Sequence, residues 1–182
     1  MTATPVKTGT WAIDSAHSNV EFSIKHMMIS TVKGQFSTVE GTIELDGNRP
    51  EMSSVTARID ASSITTLNEQ RDEHLRTNDF FNSEQWPDLT FHSTKVEQVS
   101  DDRSKVYGDL TIRDVTKPVV LDTEFDGQIL DAFGKQRAAF TATTEINRKD
   151  FGINWNGAIE AGGVVVGDKV KVTLHIAAVL AE

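Results

Sequence analysis

Histidine is the side chain best suited to moving protons near neutral pH, and this chain carries five, His17, His26, His74, His92 and His175. None stands at H-E-x-x-H spacing from another. The pattern therefore favours satisfied or exposed imidazoles over a metal centre, although His17 and His26 could meet across a curved strand. Asp150-Phe151-Gly152 spells the magnesium tripeptide of kinases, but no H-R-D loop or glycine-rich nucleotide loop accompanies it. The run AGGVVVGDK, 161–169, lacks P-loop spacing and a Ser or Thr after its lysine. Both read as turns feeding strands. No G-x-S-x-G elbow is present. The absence of cysteine excludes disulfides, thiol catalysis and cysteine-ligated metals.

The densest group of chemistry-bearing residues is NEQRDEHLRTNDFF, Asn68 to Phe81, which holds Arg71, His74 and Arg76 and ends in Phe80 and Phe81. Asn68 suits a helix N-cap, Glu69 suits the first turn, and Asp72 with Arg76 forms an i,i+4 pair in the favourable order. Leu75 is the one large aliphatic residue inside it. Such a helix cannot bury a broad face and belongs on a rim.

The elements around that helix must position it. In 182 residues, 38% are hydrophobic and 25% charged, which suits one domain with its own core. The net charge of −9 repels phosphate backbones, so nucleic acid is not an expected partner. No apolar run reaches the roughly 18–20 residues of a membrane span, so stable membrane insertion is not expected. The opening residues lack a signal-type apolar core. The expectation is a cytoplasmic protein, or a periplasmic or secreted one if a leader has been removed.

Alternation of period two recurs along the chain. Val20, Phe22 and Ile24 oppose Glu21, Ser23 and Lys25; Val170, Val172, Leu174 and Ile176 oppose Lys169, Lys171, Thr173 and His175. Similar runs occur near 39–45, 55–59, 89–93, 106–112, 119–126 and 138–146. Turn signals at Asp46-Gly47-Asn48, Ser100 to Ser104 and Phe133-Gly134 join them. About eight antiparallel strands, each with one apolar face, imply a sandwich or a barrel. An eight-stranded barrel either fills with side chains or holds one small ligand. Inward small residues, Gly41, Ala57, Gly108, Ala138 and Ala142, would leave room, and Phe36 follows a candidate bulge at Gly34.

Several longer motifs carry a resemblance. WAIDSAHSNVEFSIKHMMISTVKGQFSTVEGTIELD, QRDEHLRTNDFF with WPDLTFHST, GDLTIRDVTKPVVL, EINRKDFGI and VGDKVKVTLHIAA resemble, in order and spacing, the YceI-like family of polyisoprenoid-binding, lipocalin-like proteins. The likeness runs from about Trp11 to Ala178. It implies an all-β, antiparallel lipocalin-like barrel of about eight strands, closed by a short helical lid around residues 68–81. The single domain spans 1–182, with its core at about 11–180. A long hydrophobic pore would take an isoprenoid, quinone or fatty acyl tail, with no other cofactor and no catalytic group. Asp114 stands where the family's TIxGVTKP motif has glycine, which alters a turn.

On this reading the pore is lined by Phe22, Ile24, Phe36, Phe91, Phe125, Phe140, Leu174 and Ile176, with Trp155 near one end and Phe80 and Phe81 on the upper wall. His26, Arg71, His74 and Arg76 anchor the lid or face a head group. Two alternatives remain open in the residues. One is an enzyme on a hydrophobic substrate with His26 or His74 as acid/base; the other is a barrel packed solid. Exposed strand edges would also permit an isologous homodimer.

Overall fold

In a two-faced strand, side chains alternate between wall and water, so the apolar row decides which way the sheet curls. In the computed structural model, which describes residues 5–157 and 165–181, every such row points to one interior. The strands are β1 (Gly9–Ile13), β2 (Asn19–His26), β3 (Ser30–Phe36), β4 (Val39–Leu45), β5 (Ser54–Asp60), β6 (Ile64–Thr65), β7 (Asp88–Gln98), β8 (Arg103–Ile112), β9 (Val115–Leu130), β10 (Gln136–Asn147) and β11 (Val166–Leu180). All pairings are antiparallel, and β1 closes the ring on β11 with Ile13 opposite Ala178.

The eleven strands make eight staves, because three staves are interrupted. β11 pairs with β1 near Ala178 and with β2 from Val166 to His175, so β1 and β2 are two halves of one stave. β4 and β3 form the next, and β5 and β6 the third. The interruptions are bonded to their surroundings. Ser18 exchanges hydrogen bonds with Ala177 of β11, the Ser63 hydroxyl accepts from the Thr38 amide, and Asp14 and Asp60 cap short 3-10 turns at Ser15–His17 and Ala61–Ser63.

Each interruption also shifts the phase of the alternation. Inward residues are odd-numbered in β1 (Ile13), β4 (Val39, Ile43) and β5 (Ala57, Ile59), but even-numbered in β2 (Val20, Phe22), β3 (Val32, Phe36) and β6 (Ile64). Uninterrupted strands would have turned one half of each stave inside out. Sequence alternation found the β2, β4 and β5 stretches but missed β1, β3 and β6, which lie across these phase slips.

Two local expectations change. The β2–β3 ladder runs unbroken through Phe22 opposite Gly34, so Gly34 marks no bulge. In the β8–β9 turn the left-handed residue is Arg113, at φ 57, so the conformational demand does not fall on Asp114. The expected turn at 161–169 lies partly outside the described residues, which resume at Val165.

One end of the barrel carries the β4–β5, β7–β8 and β9–β10 loops; Trp11, fully buried at 0% exposure, packs inward on β1 toward it. The opposite end carries the β2–β3 turn, the 61–87 connection and the β10–β11 connection. On the outer surface Arg137 ties the end of β1 to the β9–β10 hairpin. Its Nε donates to Asp131 at 2.6 Å and its NH1 to Asp14 at 2.9 Å; His17 lies 2.8 Å from the same Asp14 oxygen. The His17 hydrogen bond, with help from Arg137, holds the Asp14 carboxyl below its ordinary value, and Arg137 does the same for Asp131.

A carboxyl depressed in the fold stabilises above its unfolded pKa and loses that contribution as the pH falls through its folded value. Arg137→Met should therefore lower the melting temperature at pH 7. It should also flatten the wild type's loss of stability on acidification below about pH 4. Thermal melts followed by circular dichroism across that range measure both effects.

Candidate functional site

The interior is hollow. The barrel encloses a cavity of about 720 Å³, within the range of about 300–1,000 Å³ typical of small-molecule sites. Its wall is mostly aliphatic and aromatic, and Phe22, Ile24, Phe36, Phe91, Phe125, Phe140, Leu174 and Ile176 all face it. Phe125 and Phe140 lie across the β9–β10 ladder with ring centroids 5.5 Å apart.

Glycine keeps the large rings against the wall. A Cβ on Gly34 would stand 2.5 Å from the Phe22 ring, and one on Gly108 would stand 2.4 Å from the Phe91 ring. Both rings therefore lie over a neighbouring strand where a side chain is missing, rather than projecting across the bore. This revises the expectation that small residues leave empty space. Ala57 and Ala142 border the cavity, whereas Gly41, Gly108 and Ala138 stand in the inward rows without bordering it.

The lid is helix α1 (Glu69–Leu75) with the turns that follow it. Asn68 caps it, accepting from the Arg71 amide at 3.0 Å. The expected Asp72–Arg76 pair does not form. Asp72 is 5% exposed and turns inward, where one carboxylate oxygen accepts from the Thr66 amide at 2.8 Å and the Thr66 hydroxyl at 2.5 Å. Arg76 reaches the Ser62 and Ile64 carbonyls at 3.1 Å each and does not border the cavity. Arg71 borders it but is committed to Thr66, its Nε donating to the hydroxyl at 2.7 Å and its NH2 to the carbonyl at 3.0 Å. Both arginines thus fasten the lid to the strand it follows.

Under the lid the aromatic residues form two groups. Phe81 meets Phe36 edge-on at 5.4 Å, and Phe36 meets Phe22 at 5.7 Å. His74 meets Phe80 edge-on at 5.2 Å and Trp155 at 4.8 Å, and its Nε2 lies 2.8 Å from Asp79. Phe80, Phe81, His74 and Trp155 all border the cavity. His26 borders it too, from the end of β2, and its imidazole has no hydrogen-bond or carboxylate partner among the described residues. His17 is engaged by Asp14 and does not meet His26. Among the described residues no group of three His, Asp or Glu could hold a metal ion.

Two positioning residues escaped the sequence reading. Arg148, buried and bordering the cavity, donates from NH1 to the Ile153 carbonyl at 2.9 Å and the Trp155 carbonyl at 2.8 Å, and from Nε to the Gly167 carbonyl at 2.8 Å. Burial lowers its guanidinium below the ordinary value while Asp168 opposes the shift. It fixes the segment that presents Trp155. Arg113 lies over the Trp86 ring and donates to Asn78 and to the Phe80 carbonyl, holding down the tail of the lid. The clue to Arg148 was its place in EINRKDFGI: a cation beside two more charges, opening a turn that feeds a buried phenylalanine.

Comparison with known proteins places these features in a wider group. Residues 11–178 match the YceI-like domain. A UPF0312 protein of Staphylococcus aureus is 42% identical over 162 residues, covering 88% of this chain and 92% of that protein. The crystal structure of the Campylobacter jejuni YceI protein superposes with a TM-score of 0.75 at 32% identity, over 87% of this chain and 91% of that one. A polyisoprenoid-binding domain from Saccharophagus degradans shares the fold at 16% identity, with a TM-score of 0.69, over 94% of this chain and 98% of that one.

Asp72→Ala should destabilise the protein by about 1–3 kcal/mol, because it strands the Thr66 amide and hydroxyl. It should also speed proteolysis within 66–87 before global unfolding, as limited trypsin digestion would show. Phe140→Trp should cost little stability, since an open bore accepts the added ring where a filled core would strain by about 1–3 kcal/mol; denaturant melts decide between these.

Proposed function

The chain belongs to the YceI-like family, and on that basis we propose that it binds one hydrophobic, chain-like molecule inside the barrel, as a carrier or buffer rather than as an enzyme. The observation that carries this reading is the lidded apolar cavity of about 720 Å³. The named activity of the Saccharophagus degradans neighbour, polyisoprenoid binding, supports a prenyl, quinone or fatty acyl tail as the ligand class.

Binding of this kind is burial without reaction. Each methylene removed from water contributes about 0.8 kcal/mol, so ten carbons give a gross term of about 8 kcal/mol before the cost of immobilising the chain. A hydrocarbon offers few polar handles, so bore width and length select the guest. The proposed lining is the row of phenylalanines with Ile24, Leu174 and Ile176, closed above by Phe80, Phe81 and Trp155. Arg71 and Arg76 act as lid anchors. Among the described residues His26 borders the cavity with an imidazole left free to meet a head group.

The catalytic alternative would need His26 or His74 to work as acid/base. His26 has no orienting carboxylate among the described residues, and His74 has Asp79 but is wedged edge-on between Phe80 and Trp155. That geometry supports a positioning role for His74. Native mass spectrometry of freshly purified protein should reveal a co-purified hydrophobic molecule, and prenyl alcohols or quinones should quench tryptophan fluorescence in wild type but much less in Trp155→Phe. A protein that emerges empty and gives no quenching with either probe overturns the reading.

A further inference from the structure

The lid end carries an exposed apolar tip that the cavity does not use. The turn between β2 and β3 is Met27-Met28-Ile29, with Met28 61% and Ile29 88% exposed. Met27 and Met28 sit at φ 52 and 68, a left-handed conformation that turns ordinarily give to Gly, Asn or Asp. Leu67, just ahead of the lid helix, repeats the pattern: φ 61 and 96% exposed. Of the five non-glycine residues with positive φ among the described residues, these three are apolar and exposed. Neither backbone economy nor solubility favours such residues there, and strain of this kind is a marker of function.

The strands behind the tip supply the second observation. On the outer face of β11–β2–β3, Lys171 stands opposite Ser23 and Ser23 opposite Lys33, so two exposed lysines flank one serine in a single row. Lys25 lies one step closer to the tip, on the same face of β2. None of the three has an ion-pair partner among the described residues. Carboxylates border the row and are engaged elsewhere: Glu145 on β10 stands opposite Lys171 but lies 3.9 Å from Lys169, Glu21 on β2 meets His175, and Asp168 on β11 meets Lys149. Lys25 and Lys33, the lysines of the row nearest the apolar tip, have no acidic ladder partner on β2 or β3, although the chain carries a net charge of −9.

We propose that this tip docks on the surface of an anionic lipid bilayer, with Met27, Met28, Ile29 and Leu67 entering the interface and the lysine row facing the head groups. Shallow apolar insertion backed by cations is the physical recipe for reversible membrane attachment. Docking by this end brings the lidded mouth of the cavity against the bilayer, where a hydrocarbon guest could pass without crossing water. The opposite end also exposes apolar residues, Met52, Val99, Ile129, Leu130 and, at 89%, Phe133, but Asp46, Asp101, Asp102 and Asp131 occupy the loops there and none of these apolar residues stands at positive φ. That end therefore serves as an internal control.

The inference goes beyond ligand binding and is tested separately from it. In flotation with phosphatidylcholine–phosphatidylglycerol vesicles, wild type should rise with the lipid, and more weakly with phosphatidylcholine alone or at high salt. The double variant Met28→Ser/Ile29→Ser should bind about tenfold more weakly. Lys33→Gln and Lys171→Gln should each cost about fivefold, on the anionic vesicles only. Phe133→Ser should float like wild type. Tip variants should keep wild-type circular dichroism and take up a prenyl alcohol from detergent unchanged. The proposal is overturned if wild type does not float, if the tip variant floats equally well, if Phe133→Ser abolishes flotation, or if the tip variant alters only self-association in sedimentation velocity. Loss of prenyl-alcohol uptake by wild type would count against the ligand and leave the vesicle result standing.

Discussion

Closure of the ring between β1 and β11 is the constraint on which the rest depends. A two-faced sheet left open would expose its apolar side or need a second layer to cover it. Closed on itself, it needs no cover, and all eight apolar rows face one another. Closure also demands that every stave keep the same side inward along its whole length. Three staves break their ladder, and each resumes in the opposite phase of the alternation, so the demand is met. The hydrogen bonds of Ser18, Ser63, Asp14 and Asp60 satisfy backbone groups that those breaks would otherwise leave exposed.

A closed eight-stranded barrel can still be solid. Here it stays hollow because its largest rings are laid along the wall. Gly34 and Gly108 each remove a side chain where a phenylalanine from the next strand lies down. The lid follows a related economy. Its polar residues look suited to a ligand, yet Arg71, Asp72 and Arg76 spend their hydrogen bonds on Thr66, Ser62 and Ile64. Arg148 and Arg113 likewise bind backbone carbonyls. Charge at this end is largely fastening, which leaves the wall of the cavity mostly aliphatic and aromatic.

The two ends of the barrel differ for the same reason. The loops at the far end are short, and Asp46 and Asp131 accept hydrogen bonds from their own turn amides. The lid end holds all five non-glycine residues of positive φ found among the described residues. Strain gathers where the chain must leave the ladder to cover an opening.

The sequence alone determined the all-β class, the apolar rows of β2, β5 and β11, the helix with its Asn68 cap, and the placing of Phe22, Phe91, Phe125 and Phe140 on the apolar faces of their strands. These follow from periods of two and 3.6 and from capping chemistry, which are local. Tertiary structure alone decided which strands were halves of one stave, because a phase slip looks like the end of a strand until both halves share a neighbour. It decided that Asp72 turns from Arg76 to Thr66, since burying an acceptor beside a free amide and hydroxyl outweighs an exposed ion pair. It decided too that Gly34 is a seat for Phe22 rather than a bulge. In each case the deciding partner came from another turn or strand, and no count along the chain could reach it.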